Sequence, residues 1–137
     1  VKVQQSRSNG GEPYRMNQPS RHVNEKEIRP FVIEELQEYR VLKVKFKNIE
    51  EQAAFGVELL FPELRKCTED EIRYRQLKRA FEEALDEDEQ RVLEAKYMSG
   101  KEVNNDYLAT MLGMREGKFY RKRKSGIIRF ARALNMI

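Results

Sequence analysis

An all-α fold is predicted for this chain, a helical N-terminal region followed by a C-terminal helix-turn-helix, and three observations predict it. Apolar residues recur at steps of three and four over several stretches, the spacing of one helix face. Side chains that cap helices stand just ahead of those stretches. Sustained apolar–polar alternation is absent and β-branched residues are scarce, so nothing reads as a strand.

The elements follow in order. Residues 1–24 are mostly Gln, Ser, Asn, Gly, Pro and Arg, with too few apolar residues for any period, and read as a disordered, mildly basic arm. His22 lies in it, with no carboxylate or thiol cluster nearby to give it a catalytic role. A second region, 25–66, opens with Val32, Leu36, Tyr39, Leu42 and Phe46 on one face of a helix expected to run from Glu25 to about Asn48. Pro30 is expected near its first turn, where a missing N–H is harmless. Beyond it Phe55, Val57, Leu59, Leu60 and Phe61 crowd together, with Gly56 as a break.

The third region, 67–137, begins with a capping box from Thr68 to Glu71, so a helix is expected to start there and bury Tyr74, Leu77, Phe81 and Leu85. Asp86 and Glu89 repeat the signature ahead of a helix from about Glu87 to Met98, with Leu93 and Tyr97 inward. Ser99-Gly100 ends it. Asn104 or Asn105 then caps a short helix through Leu112, and Gly113 turns the chain.

Composition narrows the function. Charged residues make up 36% of the 137 residues and AVILMFWYC 39%, which is a modest core under a densely charged surface. The single cysteine, Cys67, makes no internal disulfide, and with His22 alone it builds no metal cage; no cofactor is expected. Neither an apolar run of about 18 residues nor a signal-peptide pattern is present, so a cytoplasmic protein without membrane association is expected.

The net charge of +4 conceals a strong segregation. Glu82 to Glu94 holds seven acids against one base, whereas Arg115 to Arg132 holds eight bases against one acid. The basic block follows a pattern that fits a helix-turn-helix. Leu108, Leu112, Met114 and Phe119 stand at inward positions, Ala109 is small where a second helix crosses, and Gly113 can take positive φ. A recognition helix is therefore expected over about Arg115 to Lys124, the helix that such a motif lays in a major groove. One straight helix from there to the C-terminus would put Arg123 in the middle of its apolar face. A break is expected near Lys124-Ser125-Gly126, with a separate packing helix from Ile127 to Leu134.

On this pattern Lys118 and Arg121 project from the core as base readers. Lys122, Lys124, Arg129 and Arg132 position phosphates, and Tyr120 flanks the backbone or a thymine methyl. Arg115 and Glu116 stand at the helix start, where free N–H groups invite a phosphate and Glu116 opposes it. Lys122 takes an inward position that is usually apolar, with its ammonium reaching water or a phosphate along the domain edge.

The run from Leu85 to Leu134, with Leu-Asp-Glu-Asp-Glu-Gln-Arg-Val-Leu at its start, then Leu-Ala-Thr-Met-Leu-Gly-Met from Leu108 and Lys-Phe-Tyr-Arg from Lys118, resembles the ArpU-type phage transcriptional regulators. The layout is similar to the promoter-reading C-terminal region of bacterial sigma factors. The resemblance implies sequence-specific binding of double-stranded DNA and regulation of phage or prophage late genes in a bacterial host cell. Lys118 and Arg121 match the family's Lys-aromatic-aromatic-Arg signature, which implies DNA contact for both and a core role for Phe119. Arg115 departs from the small capping Ser common there, and Lys122 from an apolar residue.

Contact with RNA polymerase and a homodimer stay open as further partners. The alternative reading is a recognition subunit for DNA packaging, like the small terminases of phages, although in that class the DNA-binding part generally precedes the assembly helices. Catalysis is not expected. No nucleophile with its base and no glycine-rich phosphate loop after a strand is visible.

Overall fold

A computed structural model describes residues 24–57 and 68–137. The expected N-terminal arm before Asn24, His22, Cys67 and the Leu59-Leu60-Phe61 cluster lie outside the described residues. So does the Thr68 side chain, and with it the capping box to Glu71. The described residues are helical, without a strand: α1 (Glu25–Ala54), α2 (Thr68–Ala84), α3 (Glu87–Leu93), α4 (Asn105–Met111) and α5 (Glu116–Ala133), with a π-helical turn over Glu94–Met98 continuing α3.

Asn24 caps α1, its Oδ1 accepting the Lys26 N–H at 2.9 Å. Val32, Leu36, Tyr39 and Leu42 are buried as their spacing requires, and Phe46 stacks on Tyr74 of α2 with ring centroids 4.9 Å apart. The helix outruns the expected end at Asn48 and closes where Gly56, at φ 72°, supplies the left-handed residue. There Gly56 N–H donates to Ala53 and Val57 N–H to Gln52, a Schellman closure. Pro30 stands within the helix rather than in its first turn, at an exposed position.

The helix after α2 starts as read. Asp86 accepts Glu89 N–H at 2.7 Å and Glu89 returns the bond to Asp86 N–H at 2.9 Å. It does not run on as one α-helix to Met98. Five α-helical steps would carry Met98 about 140° around the axis from Leu93. The wider π turn, closed by i→i+5 bonds, brings residues five apart closer to one face, and both Leu93 and Met98 reach the same core.

The expected break in the last helix is absent. α5 runs unbroken through Lys124-Ser125-Gly126, and no separate packing helix exists. Two contacts explain this. Gly126 is where α5 crosses α3: a Cβ there would stand 3.1 Å from Leu93 Cδ1 and 3.3 Å from Glu89 Cβ, so glycine permits close approach instead of ending the helix. Arg123 is accommodated at the edge of the apolar face, its guanidinium 5.2 Å from the Tyr120 ring centroid and within reach of the Tyr97 hydroxyl, with its charge also lowering the Glu25 carboxyl.

Among the described residues the buried side chains form two clusters. The larger joins α1, α2, α3 and α5 through residues such as Leu36, Tyr39, Leu77, Phe81, Leu93, Ile127 and Phe130. The smaller holds α4 against α3 and α5 through Val92, Leu108, Ala109, Met114 and Phe119. No helix among the described residues is long and apolar enough to cross a membrane.

Candidate nucleic-acid interface

Local chemistry sets the angle between α4 and α5. Asn104, of the two expected caps, is the one used, its Oδ1 accepting Tyr107 N–H at 2.8 Å. Gly113 takes φ 70°, with Gly113 N–H donating to Thr110 and Met114 N–H to Ala109, so the chain reverses sharply and delivers Met114 into the small cluster. Leu108, Ala109, Met114 and Phe119 are buried as expected and Leu112 is half-buried against them. Arg115 is the cap residue of α5 and its side chain makes no capping bond, which leaves the first N–H groups of the helix open. Across the corner Asn105 Nδ2 donates to the Tyr120 hydroxyl at 3.2 Å, tying the start of α4 to the second turn of α5.

The cations of α5 divide into a bound set and a free set. Lys118 Nζ lies 3.0 Å from Asp88 Oδ2, Lys122 Nζ 2.8 Å from Asp86 Oδ2, and Arg129 Nη1 3.2 Å from Glu89 Oε2. All these acids sit at the amino end of α3, so this flank of α5 is held against α3 by charge. Lys118 stays at the surface, its half-exposed side chain reaching the Asp88 carboxylate of α3. Lys122 likewise reaches Asp86 instead of water or a phosphate, which accounts for a cation at that inward position.

Arg115, Arg121, Lys124 and Arg132 are exposed and none of them forms an ion pair among the described residues, although the Lys124 charge helps to lower the Glu25 carboxyl of α1. Arg121, Lys124, Ile128 and Arg132 follow one another at steps of three, four and four, a stripe on the face opposite Phe119, Ile127 and Phe130. Gly117 lies one turn before Arg121 on that stripe. The Arg121 Nη1 would be 3.7 Å from a Cβ at Gly117, so the guanidinium lies back over the bare amino end of α5. Glu116 stands there too, beside Asp106 of α4. A side-chain hydrogen bond with Asp106, and then the repulsion of two like charges sharing the corner, raises the Glu116 carboxyl above its usual range.

Sequence reasoning missed the pairing of Asp86, Asp88 and Glu89 with α5, reading them only as caps, and it missed the bond from Asn105 to Tyr120. The capping spacing is visible in the chain; partners more than thirty residues away are not.

The α3–α5 pairs make stability depend on acid. Burial alone would raise Asp86, but the Lys122 ammonium and the Glu89 N–H outweigh it and hold the carboxyl below its usual 3.8. Asp88 is held below 3.8 mainly by the hydrogen bond from Lys118. Groups lowered in the folded state confer stability that is complete above their unfolded pKa and lost as pH falls through the folded value. Urea unfolding at pH 5, 4 and 3 is expected to show stability falling below about pH 4. An Asp86→Asn/Asp88→Asn variant is expected to start lower and fall less; an identical slope would mean the pairs do not matter.

Compared with protein-family models, curated proteins and solved structures, the chain matches none.

Proposed function

We propose that this chain binds double-stranded DNA in a sequence-specific way and regulates transcription, with α4, the turn at Gly113 and α5 serving as a sigma-like helix-turn-helix. One observation carries the reading: the exposed stripe of Arg121, Lys124 and Arg132 along α5, free of ion pairs among the described residues, with bare backbone at Gly117 where a groove edge comes closest. A helix of this kind enters a major groove with its amino-terminal residues on base edges, and Arg is the side chain suited to guanine O6 and N7. Arg121 is the base reader, and Lys124, Arg132 and Arg115 lie on phosphates. Lys118 reaches the duplex by exchanging the half-exposed Asp88 carboxylate for a phosphate, a low-cost exchange for a surface pair. The resemblance to ArpU-type phage regulators supports the same reading and points to late genes of a phage or prophage as the targets.

The test is a fluorescence-anisotropy salt titration on duplex DNA from the gene's own neighbourhood and on random duplex. The Arg121→Ala/Lys124→Ala variant is expected to lose the preference for neighbourhood DNA, by about tenfold to a hundredfold for a bidentate base contact. Its slope of log K against log salt is expected to become shallower by about one for the lost phosphate. Equal binding of both duplexes, unchanged in the variant, would refute the reading.

A further inference from the structure

A second cationic surface lies away from the α5 stripe. α1 and the segment from the π turn to the start of α4 enclose an open cleft of about 780 Å³, lined by Arg40, Lys96, Lys101 and Asn104, with Glu102 as its acid. Arg40 is exposed and forms no ion pair among the described residues. Its guanidinium rests on bare backbone at Gly100, where φ is +79° and a Cβ would stand 2.7 Å from Nη2. Any side chain at 100 would displace it. Lys96 projects from the π turn and donates to the Val103 carbonyl at 2.9 Å, which fixes the loop and leaves other ammonium protons for a ligand. π turns inside helices occur frequently at functional sites.

The position of the cleft decides its ligand. Asn104 closes one end, and the next residue, Asn105, is the one bonded to Tyr120 of α5. The first helix of a helix-turn-helix crosses the nucleic-acid backbone while the second enters the groove, so the strand leaving α5 passes the start of α4.

We propose that Arg40 and Lys101, steadied by Lys96, bind backbone phosphates of the same duplex, so that α1 contributes directly to DNA contact. The proposal rests on the duplex-binding reading of α5. A contact of this kind adds affinity on every sequence and carries no sequence information.

The full chain and an Arg40→Gln/Lys101→Gln variant are titrated on neighbourhood and random duplex over a salt series, beside Arg121→Ala/Lys124→Ala. Loss of two phosphate contacts makes the salt slope shallower by about two and weakens binding about thirtyfold at 0.15 M salt, with the ratio between the two duplexes unchanged. Glu102→Gln is expected to bind both duplexes several-fold tighter, an effect that a misfolded variant does not mimic. If the Arg40→Gln/Lys101→Gln variant keeps the wild-type slope while Arg121→Ala/Lys124→Ala loses binding, the cleft contact is overturned and the α5 reading stands. If the wild type binds no duplex, both fall. If inorganic pyrophosphate binds the wild type but not the cleft variant, with the duplex slope unchanged, the cleft serves a free phosphorylated ligand and the duplex contact is again overturned.

Discussion

Phe119→Ala is expected to cost about 3–5 kcal/mol, the usual range for emptying a fully buried aromatic site. Phe119 has no exposed surface and stands at the centre of the smaller cluster, touched by α3 through Val92, by α4 through Leu108 and Ala109, and by the turn through Met114. That cluster is small and α4 contributes only its own short buried face to it, so little is left to close over the void. Since a domain of this size is stable by about 5–15 kcal/mol, the loss takes a large part of the total. Urea unfolding followed by circular dichroism measures it. Phe119→Leu keeps much of the volume and is expected to lose far less. A Phe119→Ala loss under about 1 kcal/mol would show that the α4–α5 corner is held by something other than this packing.

The second large effect falls on Glu89, which is completely buried. Its carboxylate accepts Asp86 N–H, takes the Ser125 hydroxyl at 2.6 Å and lies within 3.3 Å of Arg129, so one side chain caps α3 and fastens α3 to α5. Glu89→Ala loses a cap, worth about 1 kcal/mol, and hydrogen bonds to a charged acceptor, worth about 1.5–3 kcal/mol. A total near 3 kcal/mol is expected. The uncovered Arg129 adds little, because its side chain is 54% exposed and regains water. Glu89→Gln keeps the shape and the acceptor for Asp86 N–H but not the charge, and is expected to fall between wild type and Glu89→Ala. Equal stability of all three would show that the α3–α5 crossing depends on Gly126 and Leu93 alone.

Both effects concern residues whose importance was only half legible in the chain. Phe119 was readable as core from its place after Gly113 and Met114. Glu89 was readable as a cap from its distance to Asp86, yet its bonds to Ser125 and Arg129 were not. The candidate interface divides the same way: the basic block was plain, but which of its cations stay free was not. Lys118 and Arg121 looked equivalent, and only the position of Asp88 on a neighbouring helix separates them.

The sequence by itself determined what acts over a few residues: the helical class, the cap at Asp86, a cap at Asn104 or its neighbour Asn105, the reversal at Gly113, and the buried stripe of α1. These follow from steric limits on φ, from orphan N–H groups at helix starts and from the 3.6-residue period, all of which are properties of adjacent residues. The tertiary structure decided the rest. Gly126 sits in a helix contact instead of a break because Leu93 and Glu89 arrive opposite it, the π turn exists because Met98 and Leu93 share one core, and the acids of α3 neutralise one flank of α5 while leaving the other bare. Each of those outcomes depends on how two helices cross, which no short stretch of either helix encodes.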